Sequence, residues 1–287
     1  GAASAASSAG ANPARATGGT QPRPGHADLV GALNDEQDDC RNVLERASAR
    51  ETAARVAAGA LCRRLLAEFG ADLAAHVIQI GPVVAKSDAV ASPDIRKRSM
   101  KSQVRCCDKE AGARMIEAIT KAKRDKDSLG GVVEVRGWGL PPGLGTFAQW
   151  DRKLDARIAQ AMMSIQAVKG VEIGIGFRGA GRPGSKYHDE IVREETPRAG
   201  GKYRRLTNNL GGTEGSMSTG EELVVRIAKK PISTLMKPLR TVNMETKQPA
   251  LAVLERSDTC AVPALAIIAE SALAIVLVEF YLDKFGG

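Results

Sequence analysis

Aromatic residues are scarce: five Phe, two Trp and three Tyr among 287 residues. A core so poor in rings is built mainly from Ala, Val, Leu and Ile. The same scarcity argues against a nucleic-acid binder, which needs stacking aromatics, a basic stripe or a known motif. No zinc-finger, homeodomain-like or RNP pattern occurs. Cysteine appears only as Cys40, Cys62, Cys106, Cys107 and Cys260, an odd number without CxxC spacing. That pattern predicts reduced thiols in a cytoplasmic protein. No metal site is expected, because His26, His76 and His188 stand at no ligand spacing to these cysteines. A clean membrane span is also missing. The most apolar run, Ala261 to Phe280, is interrupted by Glu270 and Glu279 and has Pro263 near its start, so it reads as a buried core helix. Acidic residues are absent from Gly1 to Thr20, an Ala-, Ser- and Gly-rich stretch with too little apolar surface to offset its ordering entropy. Residues 1–20 are therefore expected to be linker or scar, and 21–287 one domain.

What the chain has in excess is positive charge, formally +8. Such a balance attracts anions without choosing among polymers, membranes and metabolites. With the polymer motifs missing, small phosphorylated anions are the expected partners, and neither nucleic acid nor membrane is.

Apolar spacing predicts helices near 52–69, 109–123, 151–168 and 263–280, and strands near 76–80, 131–135, 171–177 and 222–228. The first helix opens on Ser48-Ala49-Arg50-Glu51, which fits a capping box, and stops at Gly70. Residues 86–108 read as a polar, basic loop. Strands and helices mixed along the whole chain point to an α/β or α+β sandwich.

Several polar segments do not look like packing. Arg23-Pro24-Gly25-His26-Ala27-Asp28 sets a histidine beside a carboxylate across a Pro-Gly turn, and the carboxylate is able to fix the ring's tautomer. A surface turn with a solvated histidine is the plainer alternative. Around Arg46 to Arg50, a helix start and two guanidinium groups suit a phosphate. A capped helix with surface ion pairs accounts for that segment equally simply. Asn208 to Gly220 is glycine-rich yet is neither a Walker A loop nor a GxGxxG turn. Lys230 to Thr234 then offers a cation and two hydroxyls. Asp258 precedes the apolar helix, where capping is its plainest role.

In this order the segments resemble the chorismate synthase family. The likeness runs from about Arg23 to the end, through RPGHAD, LERASARETAARVAAGA, GGVVEV, GLPPGLG, WDRKLDAR, MSIQAVKGVEIG, RPGSKYHDEI, LTNNLGGTEGSMSTGEE, KPIST, LRTVNMETK, ERSDTCAVPA and KFGG. The resemblance implies an α+β fold, a β-α-β sandwich of antiparallel sheets with helices, assembled as a homotetramer. It implies conversion of 5-enolpyruvylshikimate 3-phosphate into chorismate by 1,4-anti elimination of phosphate. The cofactor implied is reduced FMN, with NADPH as reductant in bifunctional members. His26 is implied as a proton donor near flavin and substrate, and Asp258 as the group assisting flavin N5 in deprotonating the substrate. FMN contacts are implied for Arg46, Ala47 and Ser48, for Gln166 and Ala167, and for Gly215. The same holds for Lys230, Pro231, Ile232, Ser233, Thr234 and Arg256. Substrate contacts are implied for Ser48, Arg50 and Arg256, while His188 is expected to be structural or to order a loop.

The sequence also departs from the family. The usual opening Glu-Ser-His-Gly segment and its arginine-rich sequel have no counterpart before His26. The alternative expectation is therefore an impaired fragment, or an FMN-binding protein without turnover. Ile175 and Asn243 stand where Asp is usual, and Ser216 where Gly is common. A Cβ at Ser216 is expected to crowd its loop if the backbone there has positive φ.

Overall fold

The structure, a computed structural model, describes residues 19–86, 90–198 and 201–286. They cluster into two compact units, one drawn from Gly1–Ser48 and Ser233–Ser257, the other from Ala49–Ile232 and Asp258–Gly287.

The first unit begins with helices α1 (Asp28–Asn34) and α2 (Cys40–Arg46). The second begins with α3 (Thr52–Glu68), β1 (Asp72–Ile80), β2 (Val83–Val84), α4 (Ser92–Ser99) and α5 (Lys109–Arg124). It continues through β3 (Gly131–Trp138), α6 (Leu154–Met163), β4 (Val168–Ile173) and the short helices α7 (Gly176–Gly179) and α8 (Gly184–Tyr187). Two hairpins follow, β5 (Ile191–Arg198) with β6 (Gly201–Arg205) and β7 (Thr213–Glu214) with β8 (Met217–Ser218), and then β9 (Leu223–Lys229). The hairpin of β10 (Arg240–Val242) and β11 (Pro249–Leu251) belongs to the first unit, and α9 (Val262–Phe285) completes the second.

Five strands form one sheet in the order β2-β1-β3-β9-β4, and every neighbouring pair is antiparallel. The α+β expectation holds. Alternation along the strands turns Leu73, Ala75 and Val77 of β1, Val133 and Val135 of β3, and Val225 and Ile227 of β9 into one core, shared with Leu265, Ala269, Leu273 and Leu277 of α9. By length and composition α9 would cross a bilayer, yet most of it is buried in this core, as its two glutamates suggested. Helix α3 lies so close to α9 that a Cβ on Gly59 would come 2.4 Å from Ser271 Cβ.

The other sheet face carries charge. His76, Glu134, Arg226 and Glu172 stand in register across β1, β3, β9 and β4. Glu134, fully buried, lies 3.1 Å from His76 Nε2 and accepts from Arg136 Nε at 2.7 Å and Arg226 Nε at 2.8 Å. Burial pushes its carboxyl up, but the His76 hydrogen bond and the two guanidinium charges outweigh this and hold it at about 2. The outer edge of β1 is occupied as well. Leu73 O accepts from Arg96 of α4, Ala75 N donates to Glu270 of α9 at 3.1 Å, and Val77 N donates to Arg105 O at 2.9 Å. Arg63 of α3 and Arg96 both pair with Glu270 at 3.1 Å.

Four local expectations need correction. The helix starts later than the Ser48–Glu51 signal placed it: Ala49–Glu51 is a 3-10 turn, and α3 begins at Thr52 with Glu51 at its N-cap, whose carboxylate accepts from Arg55 and Gln166 rather than capping the helix. Residues 86–108 are not all loop. Helix α4 arises there, with Pro93 in its first turn and Ile95 buried against Ala74 and Val90. The helix expected over 151–168 ends at Met163, and Ala167 takes a left-handed φ of 66°. Asp258 does not cap α9, whose N-cap is Ala261 with no side-chain cap bond.

Candidate functional site

The first unit contains a compact ionic network in the RPGHAD segment. Gly25, at φ 78°, makes the turn that a side chain would strain, and His26 N closes it on Arg23 O at 3.2 Å. The turn brings the His26 ring, 23% exposed, to Asp28, which is 1% exposed, with Nδ1 2.5 Å from Oδ1. Arg23, also buried, binds the same carboxylate through Nε at 2.8 Å and Nη2 at 3.0 Å. Its Nη1 donates to Thr234 Oγ1 at 2.7 Å. Burial would push the Asp28 carboxyl up, but the hydrogen bonds from His26 and Arg23 win and hold it far below the usual carboxylate range. His26 and Thr234, both expected site residues, are thus joined through Arg23. The sequence reading paired His26 with Asp28 but missed Arg23; an arginine five residues before an aspartate across a Pro-Gly turn is the signal that would have shown it. Elsewhere in this unit, exposed Arg46 ends α2, half-buried Ala47 and Ser48 follow it, Ser233 precedes Thr234, and Arg256 is exposed.

The second unit gathers another set. Gln166 Nε2 donates to Glu51 Oε1 at 2.7 Å, and Glu51 is gripped by Arg55 at 2.9 Å. The amide oxygen, Oε1 of Gln166, is buried and has no hydrogen-bond partner among the described residues. Ala167 O accepts from Lys230 N at 2.9 Å, and Gln166 O accepts from Lys229 Nζ at 2.8 Å. Burial lowers both lysine ammonium groups, helped by the charge of Lys230 at Lys229 and of Lys169 at Lys230. Ser128 Oγ donates to Ile232 O at 2.6 Å, and Leu129 N to Thr259 O at 2.9 Å. Residues 166–167, 230–232 and 258–259 therefore converge at the same end of the sheet, where β3 begins and β9 ends. Pro231 and Asp258 are exposed there, and Arg50 is exposed on the 3-10 turn. Sequence reasoning missed Glu51 and Lys229, the first because it was assigned to a cap and the second because it reads as a strand end.

Gly215 lies elsewhere in this unit. With Ser216 it forms the β7–β8 turn, both at positive φ, 53° and 65°. The expected strain at Ser216 is real, and its Oγ is tethered to Asp155 Oδ2 at 3.1 Å. The turn lines a cavity of about 640 Å³ together with Asp155, Tyr187 and His188. His188, exposed, stands edge-on to the Tyr187 ring at 5.4 Å.

Comparison with known proteins adds four findings. The family model described as chorismate synthase matches residues 8–282. The chain is 58% identical over 269 residues to chorismate synthase of Symbiobacterium thermophilum, covering 93% of this chain and 68% of that protein. It is 54% identical over 271 residues to chorismate synthase of Pelobacter propionicus, covering 93% and 69%. A crystal structure of a chorismate synthase superposes with a TM-score of 0.77 at 43% identity, covering 91% of this chain and 71% of that one.

Proposed function

The chain belongs to the chorismate synthase family, a family of lyases, and from that premise we propose that it eliminates phosphate from 5-enolpyruvylshikimate 3-phosphate to give chorismate. The observation that supports the reading most is the His26–Asp28 pair, a partly exposed imidazole held by a buried carboxylate, which suits a proton donor. In the elimination one C–O bond to phosphate and one C–H bond break, and one C=C bond forms. His26 holds the proton that balances charge at the reacting centre, and Asp258 takes part in removing the substrate proton. Arg50 and Arg256 supply positive charge to the substrate's anionic groups.

The residues expected to hold reduced FMN have the chemistry it needs. Gln166 Oε1 is a buried acceptor with no donor among the described residues, and the rim of an isoalloxazine ring carries an N–H. Ala167 keeps a strained φ beside it, as backbone at ligand sites often does. Thr234 Oγ1 accepts from Arg23 Nη1, and a hydroxyl that accepts a bond still has its hydrogen to donate to a phosphate. Ser48, Ser233 and Lys230 are of the residue types, hydroxyl and ammonium, that a phosphate takes. Reduced FMN held by these residues would supply electron density to the elimination with no net redox change. The reading extends to NADPH as a reductant, to a homotetramer and to the cytoplasm; light scattering on the purified chain tests the assembly state.

The deciding experiment is anaerobic incubation with 5-enolpyruvylshikimate 3-phosphate and photoreduced FMN, with a parallel flavin titration. Chorismate that disappears in Asp258→Ala supports the lyase. Flavin binding without product supports an FMN-binding protein instead, and neither binding nor product removes the proposal.

A further inference from the structure

The donors around the Asp28 carboxylate determine where His26 carries its proton. Oδ2 accepts the Arg23 backbone N–H at 3.1 Å and Arg23 Nε at 2.8 Å. Oδ1 accepts Arg23 Nη2 at 3.0 Å and lies 2.5 Å from His26 Nδ1. A guanidinium has no acceptor, and an ionised carboxylate has no donor. The short Nδ1–Oδ1 contact is therefore an N–H donated by the ring, and the 3.1 Å approach of Arg23 Nη2 to Nδ1 joins two donors that share one oxygen. The same Nη2 lies 3.4 Å from Nε2, where a donor faces a bare ring nitrogen rather than a second N–H. In water a neutral imidazole carries its proton mostly on Nε2, so this carboxylate selects the less common form.

We propose that Asp28, clamped by Arg23, is the positioning residue of His26: it binds the Nδ1–H and leaves Nε2 as the nitrogen that exchanges a proton with the reacting group. Donation starts from the imidazolium, which carries a proton on each nitrogen: the Nε2–H bond breaks, its electron pair stays on the ring, the proton passes to the reacting partner, and the neutral Nδ1–H form remains. The Nδ1–H stays on Asp28 throughout, and Asp28 is never protonated. Arg23 keeps the carboxylate in place, and Thr234, by accepting Arg23 Nη1, holds the far side of the guanidinium. What Nε2 reacts with rests on the lyase reading; the tautomer is a property of the protein without any ligand.

The test is the ring-nitrogen NMR pattern of the full chain labelled with 15N-histidine, at a pH where His26 is neutral. The chain has three histidines, so His26→Gln and His188→Gln spectra identify the His26 signals. The expected pattern is a protonated Nδ1 and a bare Nε2. In Asp28→Asn the single amide oxygen must serve the Arg23 backbone N–H and Nε. Its NH2 then faces Nδ1, and the ring flips to Nε2–H. Chorismate formation should fall at least 100-fold in that variant, as when a triad aspartate becomes asparagine, with flavin affinity within about threefold of wild type. A residue that served only folding would leave the tautomer unmoved. Nε2–H in the wild-type spectrum overturns the proposal whether or not any variant folds. So does an Asp28→Asn spectrum that keeps Nδ1–H. The two readings separate cleanly: Nδ1–H in a chain that makes no chorismate keeps the positioning role and removes the lyase, whereas Nε2–H in an active lyase does the reverse.

Discussion

Replacing Glu134 with Gln should destabilise the protein by an amount that depends on pH. The carboxyl is fully buried on the charged face of the sheet and sits at about 2 in the fold, against an ordinary 4.5. At about 1.4 kcal/mol per tenfold change in proton affinity, that difference is on the order of 3 kcal/mol. A carboxyl lowered on folding stabilises fully above its unfolded value and loses that contribution as pH falls toward its folded one. The window therefore runs from about pH 5 down to about pH 2. Glu134→Gln keeps the shape but removes the charge facing His76, Arg136 and Arg226. Urea unfolding followed by circular dichroism should show the variant about 3 kcal/mol less stable at pH 7. By pH 3 the gap should shrink to about 1 kcal/mol, because the wild type is losing the same contribution. Other carboxylates titrate alike in both proteins and cancel in the difference. A gap that stays constant from pH 7 to pH 3 would refute the reasoning and leave Glu134 a hydrogen-bond acceptor whose charge is immaterial.

Three further outcomes are expected. Gly59→Ala should lower stability by about 2 kcal/mol in urea, even though alanine is the better helix former, because the new Cβ would sit 2.6 Å from the Ser271 Cα, which is backbone and cannot move aside. Gln166→Leu should weaken FMN binding about tenfold in a fluorescence titration by removing the buried acceptor, while shifting the stability of the free protein by less than about 1 kcal/mol. Arg96→Ala should uncover Leu73 O and leave Glu270 with one cation fewer; static light scattering of the variant during refolding should show more aggregate than wild type.

Long regular elements were legible in the sequence because their apolar residues recur at one period. The strand around Val133 and Val135, the helix from Lys109 and the apolar final helix all lie where spacing put them. Helix α4 escaped because two of its three buried residues are serines, Ser92 and Ser99, so Ile95 alone gives its buried side an apolar signal. The turn at Ala167 escaped because alanine carries no hint of a left-handed backbone. At the site, His26 beside Asp28 was readable because the two lie two positions apart in sequence. The contact of Arg23 with Thr234 spans 211 positions and no local pattern announces it. Gln166, Lys230 and Asp258 were named through family likeness, and their convergence depends on strand ends that periodicity does not align.

The closure of β1's outer edge has a consequence for how the chain is made. The backbone groups of Leu73, Ala75 and Val77 find their partners in Arg96, Glu270 and Arg105. On a ribosome adding roughly 5–20 residues per second, Glu270 emerges on the order of 10–30 s after Arg105. Through that interval the nascent strand keeps an amide unmet and an arginine pair without its carboxylate. Slower translation past Arg105 would lengthen the interval in which neighbouring nascent chains can pair along that strand.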